Sequence, residues 1–403
     1  MTQKAKNFRN GTALRFVPLK VCVMSRLYLD HNATAPLRPS ARGAMMEALD
    51  LGGNPSSVHG EGRAAKALME DSRESLARLL ECAPDAITFT SGATEALHIA
   101  MDSAAAMGFD PVFVSVVEHD AVWAYANRLW PDLRVVPVCE NALIDVDWFA
   151  TQLAQGGGKP LLIAQGANSE TGTLQPLDRL STLVRTAGGA IICDGVQMLG
   201  KVPASAFTGL ADWFIVSSHK IGGPAGVGAL VAAPGTILAN NRPGGGQERG
   251  ARAGTENIAA IAGFAAGARE ACTDEAVAAY QTLTAHERDA FEDELSQHIT
   301  NLVIVAQHAP RLSNTSCVAM PTWEAARQVM ALDLAGFAVS AGSACSSGKV
   351  KTSRVLAAAG YSPDISGCAI RVSFGWNTQA SDGQALAHAY LKAGARYIIA
   401  PHT

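Results

Sequence analysis

The sequence predicts an α/β fold: a mainly parallel central sheet with helices on both faces, and a smaller C-terminal α/β domain. Three observations predict it. From about residue 60 to 270, short apolar runs alternate with longer helical patterns, as strands and crossover helices do. Each run is bounded by Gly, Pro or polar turn residues. Polar clusters follow the runs, and the carboxyl ends of strands are where open α/β sheets hold ligands.

Taken in order, residues 86–90, 111–117, 161–164, 190–193 and 213–217 read as strands, and 95–107 and 177–187 as helices between them. The polar clusters are Ser91-Gly92-Ala93-Thr94, Glu118-His119, Asn168-Ser169-Glu170, Asp194 and Ser217-Ser218-His219-Lys220. Five strand ends thus direct polar groups towards one crevice. After the glycine-rich stretch 243–246 the pattern turns helical over 255–270 and 275–299, and 302–375 mixes strands with a glycine- and serine-rich loop. A chain of 403 residues exceeds one typical core, so these later residues read as a second, smaller domain.

Composition narrows the class. With 48% hydrophobic and 17% charged residues and 38 glycines, the chain reads as a well-packed soluble enzyme. Net charge is −4 and no long basic stripe follows residue 26, so neither a nucleic acid nor a membrane surface is expected as partner. No run approaches the ~20 apolar residues that span a bilayer. The eight cysteines include no C-x-x-C pair, so no metal site is expected, and free thiols point to a reducing, cytoplasmic setting. Residues 1–25 carry Lys4, Lys6, Arg9, Arg15 and Lys20 and no Asp or Glu. An organellar transit peptide looks like this, but the weak amphipathicity favours a disordered basic extension or a start at Met24.

Lys220 follows a strand and precedes Ile221-Gly222-Gly223. A lysine in a partly desolvated site has a lowered pKa and can form an imine with an aldehyde cofactor. Asp194, at the end of the neighbouring run, is the carboxylate that would keep a pyridine nitrogen protonated, as pyridoxal phosphate chemistry needs. Ser91-Gly92-Ala93-Thr94 sits at a strand-to-helix turn, where backbone N–H groups and hydroxyls hold phosphate. Singly, each has a plainer reading: a surface lysine, a helix cap, an ordinary turn.

Together they are specific. Tyr28-Leu29-Asp30-His31-Asn32-Ala33-Thr34-Ala35-Pro36 resembles the amino-terminal signature of cysteine desulfurases in the class V aminotransferase group. So do Thr90-Ser91-Gly92-Ala93-Thr94-Glu95, Glu118-His119, Asp194-Gly195-Val196-Gln197, Ser217-Ser218-His219-Lys220 and Gly245-Gly246-Gln247-Glu248-Arg249-Gly250. Arg252-x-Gly254-Thr255, Ser343-Ala344-Cys345 and Ile370-Arg371-Val372-Ser373 complete a series in the family's order across about residues 26–376.

The resemblance implies the pyridoxal-phosphate-dependent transferase fold of type I. It also implies a large cofactor domain over 37–270 and a small domain made of 26–36 and 271–403. Lys220 would carry the cofactor, Asp194 pair with its ring nitrogen, Gln197 bond its phenolic oxygen, and His119 stack on the ring and assist proton transfers. Ala93, Thr94, Ser217 and His219 would hold the phosphate, with Thr255 reaching the phosphate of a neighbouring subunit in a homodimer. Arg371 would clamp the substrate carboxylate, with Asn168 and Asn32 beside it. The family reads Asn-Asn-Glu where this chain has Asn168-Ser169-Glu170, so Ser169, shorter and poorer in hydrogen bonds than an amide, replaces a cofactor and substrate contact.

Cys345 lies in nine consecutive small residues, 340–348, a composition that cannot anchor a core and reads as an exposed, mobile loop. Lys349, Lys351 and Arg354 follow, cations of the kind that favour a thiolate. The match to the family's mobile-loop, NifS/IscS-like subgroup makes Cys345 the acceptor of the substrate's sulfur, to be passed on to a scaffold or carrier protein. Cys82, Cys139, Cys193, Cys317 and Cys368 read as buried structural thiols. Three rival readings stand beside this one: a selenocysteine lyase, a class V transaminase, and a non-catalytic partner protein on the same fold.

Overall fold

The computed structural model describes residues 26–239, 243–342 and 353–398. The basic segment 1–25 lies outside them, as does Cys345. The chain opens with β1 (Leu27–Tyr28), α1 (Pro39–Leu51) and α2 (Gly60–Leu79) and then alternates strand and helix. The series runs β2 (Ile87–Thr90), α3 (Ala93–Ala106), β3 (Val112–Ser115), α4 (Asp120–Leu129), β4 (Arg134–Val136), α5 (Val146–Ala154), β5 (Leu161–Gln165), α6 (Leu177–Thr186), β6 (Ala190–Asp194), β7 (Trp213–Ser217) and β8 (Gly228–Ala232).

Strands β2 to β8 form one sheet in the order β2-β8-β7-β6-β5-β3-β4. All pairings are parallel except those of β8, which is antiparallel to both β7 and β2. The five strands expected from sequence all form, within two residues at each end. Strands β4 and β8 are additions. Only residues 218–227 separate β7 from β8, too few for a crossover to a parallel neighbour, so the chain turns straight back.

The central strands are buried along their whole length, so they carry apolar runs rather than an apolar–polar alternation. Their side chains still divide by period two. Leu162, Ala164, Ile191, Cys193, Phe214 and Val216 face a core shared with α2, α6 and α7 (Ile258–Ala271). Leu161, Ile163, Ala190, Ile192, Trp213 and Ile215 face one shared with α3 and α4.

Beyond α7 come α8 (Asp274–His298), β9 (Val303–Ile304), β10 (Thr315–Ala319), α9 (Ala325–Leu334), β11 (Phe337–Ala338), β12 (Ser340–Ala341), α10 (Arg354–Ala358), α11 (Pro363–Ser366), β13 (Ala369–Ser373) and α12 (Asp382–Gly394). A four-stranded antiparallel sheet, β12-β13-β10-β9, forms here around its own core of Phe291, Leu295, Trp323, Val372 and Tyr390. The N-terminal β1 pairs with β11, Leu29 joins that core, and Asp30 bridges to Ser373. That bridge sets the segment 30–34 between the two sheets. Among the described residues no helix is long and apolar enough to cross a membrane.

Candidate active site

The carboxyl ends of β2, β3, β5, β6 and β7 open into a cleft of about 840 Å³, closed on its other side by Asp30, Asn32, Ser340, Gly342 and Arg371. Every site residue expected from sequence within the described segments lines this cleft, with the exception of Thr255. Thr255 is exposed and lies outside it.

Lys220 follows β7 in a single 3₁₀ turn, 218–220. Its Nζ donates to the carbonyls of Asn32 (2.7 Å) and Ala33 (2.8 Å). Burial, with Arg371 nearby, pushes the amine down to about 8, while Asp194 and Asp30 pull it back up. A lysine so placed keeps a fraction of free amine near neutral pH. Asp194 closes β6, and its Oδ1 accepts the Val196 N–H at 3.0 Å. Burial raises its carboxyl; that N–H and the charges of His119 and Lys220 favour the anion.

On one side of this pair, α3 begins at Gly92, whose φ of 153° suits glycine and which brings no capping side chain. The first amides of a fourteen-residue helix, at Ala93 and Thr94, therefore lie at the cleft with the helix dipole behind them. Ser217 and His219 line the cleft with them. The ring of His219 meets Thr34 Oγ1 at 3.1 Å, and burial beside Lys220 lowers it to about 4, so it is neutral. His119 caps α4 by accepting the Ala121 N–H at Nδ1 (3.1 Å). With Nδ1 occupied as an acceptor, Nε2 is the ring nitrogen left for a ligand.

Arg371, on β13, crosses from the small sheet. Its Nη2 donates to Asp30 Oδ1 (2.6 Å) and its Nη1 to the Ser169 carbonyl (3.2 Å), while the buried Nε has no protein partner. The Ser169 carbonyl also accepts Asn32 Nδ2 at 3.1 Å, so its backbone is held from two sides.

Two of the residues expected beside the substrate have other uses. Asn168 Oδ1 accepts the N–H groups of Glu170 (2.8 Å) and Thr171 (2.9 Å) and shapes its own turn. Asn32 is 1% exposed; Lys201 and Asn314 occupy its Oδ1, and Ser169 and Thr315 take its Nδ2. Both amides are committed to the wall of the cleft.

Cys345 and the lysines Lys349 and Lys351 lie outside the described residues, but both flanks of that segment sit on the cleft. Gly342 lines it from β12, and Ser353 Oγ donates to Glu170 Oε2 at 2.6 Å. Arg354, expected as a cation for a thiolate, instead donates to the Glu118 carbonyl (2.6 Å), pairs with Asp120 (3.1 Å) and lies over the Trp123 ring. Of the cysteines read as buried, Cys139 is exposed, its Sγ donating to the Leu143 carbonyl. Burial raises all six described thiols, Cys82 to about 11 and Cys272 and Cys317 to about 12.

Sequence reasoning assigned no role to Lys201, Gln165, Glu118 or Asp30. Asp30 and Glu118 stood inside matched motifs. Buried polar residues such as Lys201 and Gln165 look like surface residues until the fold encloses them.

Residues 27–386 match the Aminotransferase class-V family. A cysteine desulfurase of Cereibacter sphaeroides is 39% identical over 368 residues, 89% of this chain and 93% of that protein. The cysteine desulfurase IscS of Dictyoglomus turgidum is 33% identical, across 88% of this chain and 91% of its own. The NifS-like protein from Rickettsia africae superposes with a TM-score of 0.83 at 29% identity, covering 92% of this chain and 99% of that one. The chain belongs to the class-V aminotransferase family. Its relatives named here carry the cysteine desulfurase or NifS-like name, and the matches run nearly end to end.

Proposed function

We propose that this chain is a pyridoxal-phosphate-dependent cysteine desulfurase: it takes sulfur from L-cysteine onto Cys345, releases L-alanine, and hands the persulfide to an acceptor protein for iron–sulfur or thio-cofactor assembly. One observation carries the reading. The free-base-prone amine of Lys220, the carboxylate of Asp194 and the guanidinium of Arg371 line a single cleft roomy enough for a cofactor and a small amino acid.

The residues suit the cofactor. Lys220 offers the amine for its aldehyde, Asp194 the carboxylate for its ring nitrogen, and the start of α3 with Ser217 and His219 the donors for its phosphate. Pyridoxal phosphate, when bound, supplies an electron-withdrawing ring that labilises the substrate's α-carbon. The protein's part is then positional and electrostatic. Arg371 holds the α-carboxylate; His119, its Nδ1 occupied by the Ala121 N–H, offers Nε2 for proton transfers in the cleft. Cys345 thiolate takes the substrate Sγ, the new S–S bond forming as the Cβ–Sγ bond breaks; the bonding pair stays with the carbon fragment, whose Cβ is then protonated to give alanine. The described cysteines are poor rivals for this, since burial keeps them as thiols. Thr255, exposed and outside the cleft of its own chain, fits the homodimer reading, in which it serves the partner's phosphate.

The test is to incubate purified protein with L-cysteine and reductant and to quantify sulfide and alanine for the wild type and Cys345→Ser. Equal amounts from the wild type, and neither from the variant, are expected. Turnover that survived the substitution would mean a lyase or transaminase instead.

A further inference from the structure

Behind the wall of the cleft lies a second lysine. Lys201 is 3% exposed and does not line the cleft. Its Nζ donates to Asn32 Oδ1 at 2.7 Å and to Gln197 Oε1 at 2.5 Å. Gln197, four residues before it, does line the cleft, and its Nε2 donates to the Asn32 carbonyl at 2.9 Å. That carbonyl also accepts Lys220 Nζ. Lys201, Gln197, Asn32 and Lys220 therefore form one connected network.

A buried ammonium is costly, and burial pushes Lys201 well down. Such a residue needs a reason. The two ends of a carboxamide are alike in size and opposite in polarity, so neighbours alone decide which way it points. Gln197 Oε1 has Lys201 as its donor, which leaves Nε2 to face the other way. One N–H of that Nε2 meets Asn32; the second is the donor Gln197 can offer a ligand.

We propose that Lys201 is a positioning residue that locks the Gln197 amide with its N–H side towards the cofactor, so that the phenolate oxygen of the ring meets a donor and never the amide oxygen. This deepens the functional reading above and rests on it. A donor at the phenolate oxygen weakens that oxygen's hold on the proton of the adjacent Lys220 linkage, so the linkage gives up its proton at lower pH. With Lys201 gone, only the bond to the Asn32 carbonyl still orients the amide, its oxygen can turn inward, and the proton is held more tightly.

The test reads the bound cofactor by its visible absorbance against pH. Lys201→Met removes the donor; Lys201→Gln restores a neutral donor one bond shorter. The absorbance transition of Lys201→Met is expected to move up by about one pH unit, a tenfold change in proton affinity, and that of Lys201→Gln to stay close to the wild type. The other charges around the linkage are the same in all three proteins. Asp30, Asp194, His219 and Arg371 face Lys220 from the cleft, and His31, Arg38 and Tyr280 from a small cavity behind it.

A Lys201→Met protein that titrates like the wild type overturns the proposal. So does a Lys201→Gln protein shifted as far as Lys201→Met, which would make the lysine's charge the cause. If Lys201→Met does not fold, Lys201→Thr, too short to reach Gln197, takes its place. A wild type with no visible cofactor band at all would overturn the functional reading instead, so the two failures are distinguishable.

Discussion

Arg371 Nη2 and Asp30 Oδ1 lie 2.6 Å apart, joining β13 to the segment that follows β1 across the floor of the cleft. That bond and the one to the Ser169 carbonyl engage both Nη groups, while the buried Nε has no protein partner. A carboxylate bound there would gain a charge-assisted bond worth about 1.5–3 kcal/mol. Arg371→Lys keeps the charge but not the planar fork. Its KM for L-cysteine is expected to rise roughly 10- to 100-fold, with kcat changing less. Steady-state kinetics check this, and an unchanged KM would place the carboxylate elsewhere.

The lowered basicity of Lys220 has a kinetic consequence. Only the free amine attacks an aldehyde, so the rate of cofactor uptake by stripped protein follows the free-amine fraction. With the amine at about 8, the rate should climb about tenfold per pH unit below 7.5 and flatten above 8.5. An ordinary lysine, near 10.4, would keep climbing past pH 9. Stopped mixing of pyridoxal phosphate with cofactor-free protein, followed by absorbance, separates the two.

Much of this architecture was legible because the central strands are buried on both faces. Continuous apolar runs such as 161–164 and 213–216 need no long-range information to be seen. The antiparallel β8 was hidden because strand–helix alternation implies parallel neighbours; the shortness of 218–227 was the available signal. In the site, the matched motifs supplied over half of the cleft lining. They did not reveal what Asn32 and Asn168 do, because hydrogen-bond commitments such as Lys201 to Asn32 Oδ1 span 169 positions and exist only in the fold. Lys201 itself carries no sequence mark that separates it from a surface lysine.

Ser169 is a departure from the family motif inside the cleft. Its backbone is held by Asn32 and Arg371 through the carbonyl, so the side chain can change without moving the chain. Ser169→Asn adds an amide that reaches further into the cleft. One extra hydrogen bond of about 0.5–1.5 kcal/mol predicts cofactor or cysteine binding about 2- to 10-fold tighter. Equilibrium titration of stripped protein with pyridoxal phosphate, and KM for cysteine, would show it. Weaker binding of both would mean that the space beside Ser169 is already filled.

Away from the chemistry, Arg73 and Glu248 form a doubly hydrogen-bonded pair with side chains 2% and 0% exposed. Glu248 also accepts the Phe89 N–H and sits at a φ of 46°, anchoring the turn that leads to Arg252 and Thr255. Removing one partner strands a buried charge at about 3–5 kcal/mol. Arg73→Met should therefore cost that much in denaturant unfolding. Arg73→Met combined with Glu248→Met should cost less than the sum of the two single changes, and strict additivity would mean that the ions do not see each other.

Glu118 follows β3 at 1% exposure, one oxygen accepting the Gln165 N–H at 2.7 Å and the other, Oε2, without a partner. Burial pushes its carboxyl well above the usual range, and Asp194 adds to this, against the Gln165 N–H and Arg354. The folded protein thus holds a proton that the unfolded chain loses near pH 4.3 (about the ordinary glutamate value). Because the folded pKa is the higher one, Glu118 withdraws stability as pH rises through the unfolded value, by up to about 1.4 kcal/mol per unit, until the folded group itself ionises. Glu118→Gln keeps the shape and the acceptor for Gln165 but has no proton to lose. Measured by chemical denaturation at pH 5, 6 and 7, the variant should gain on the wild type with each step upward. A constant difference across that range would mean that Glu118 is already ionised in the fold.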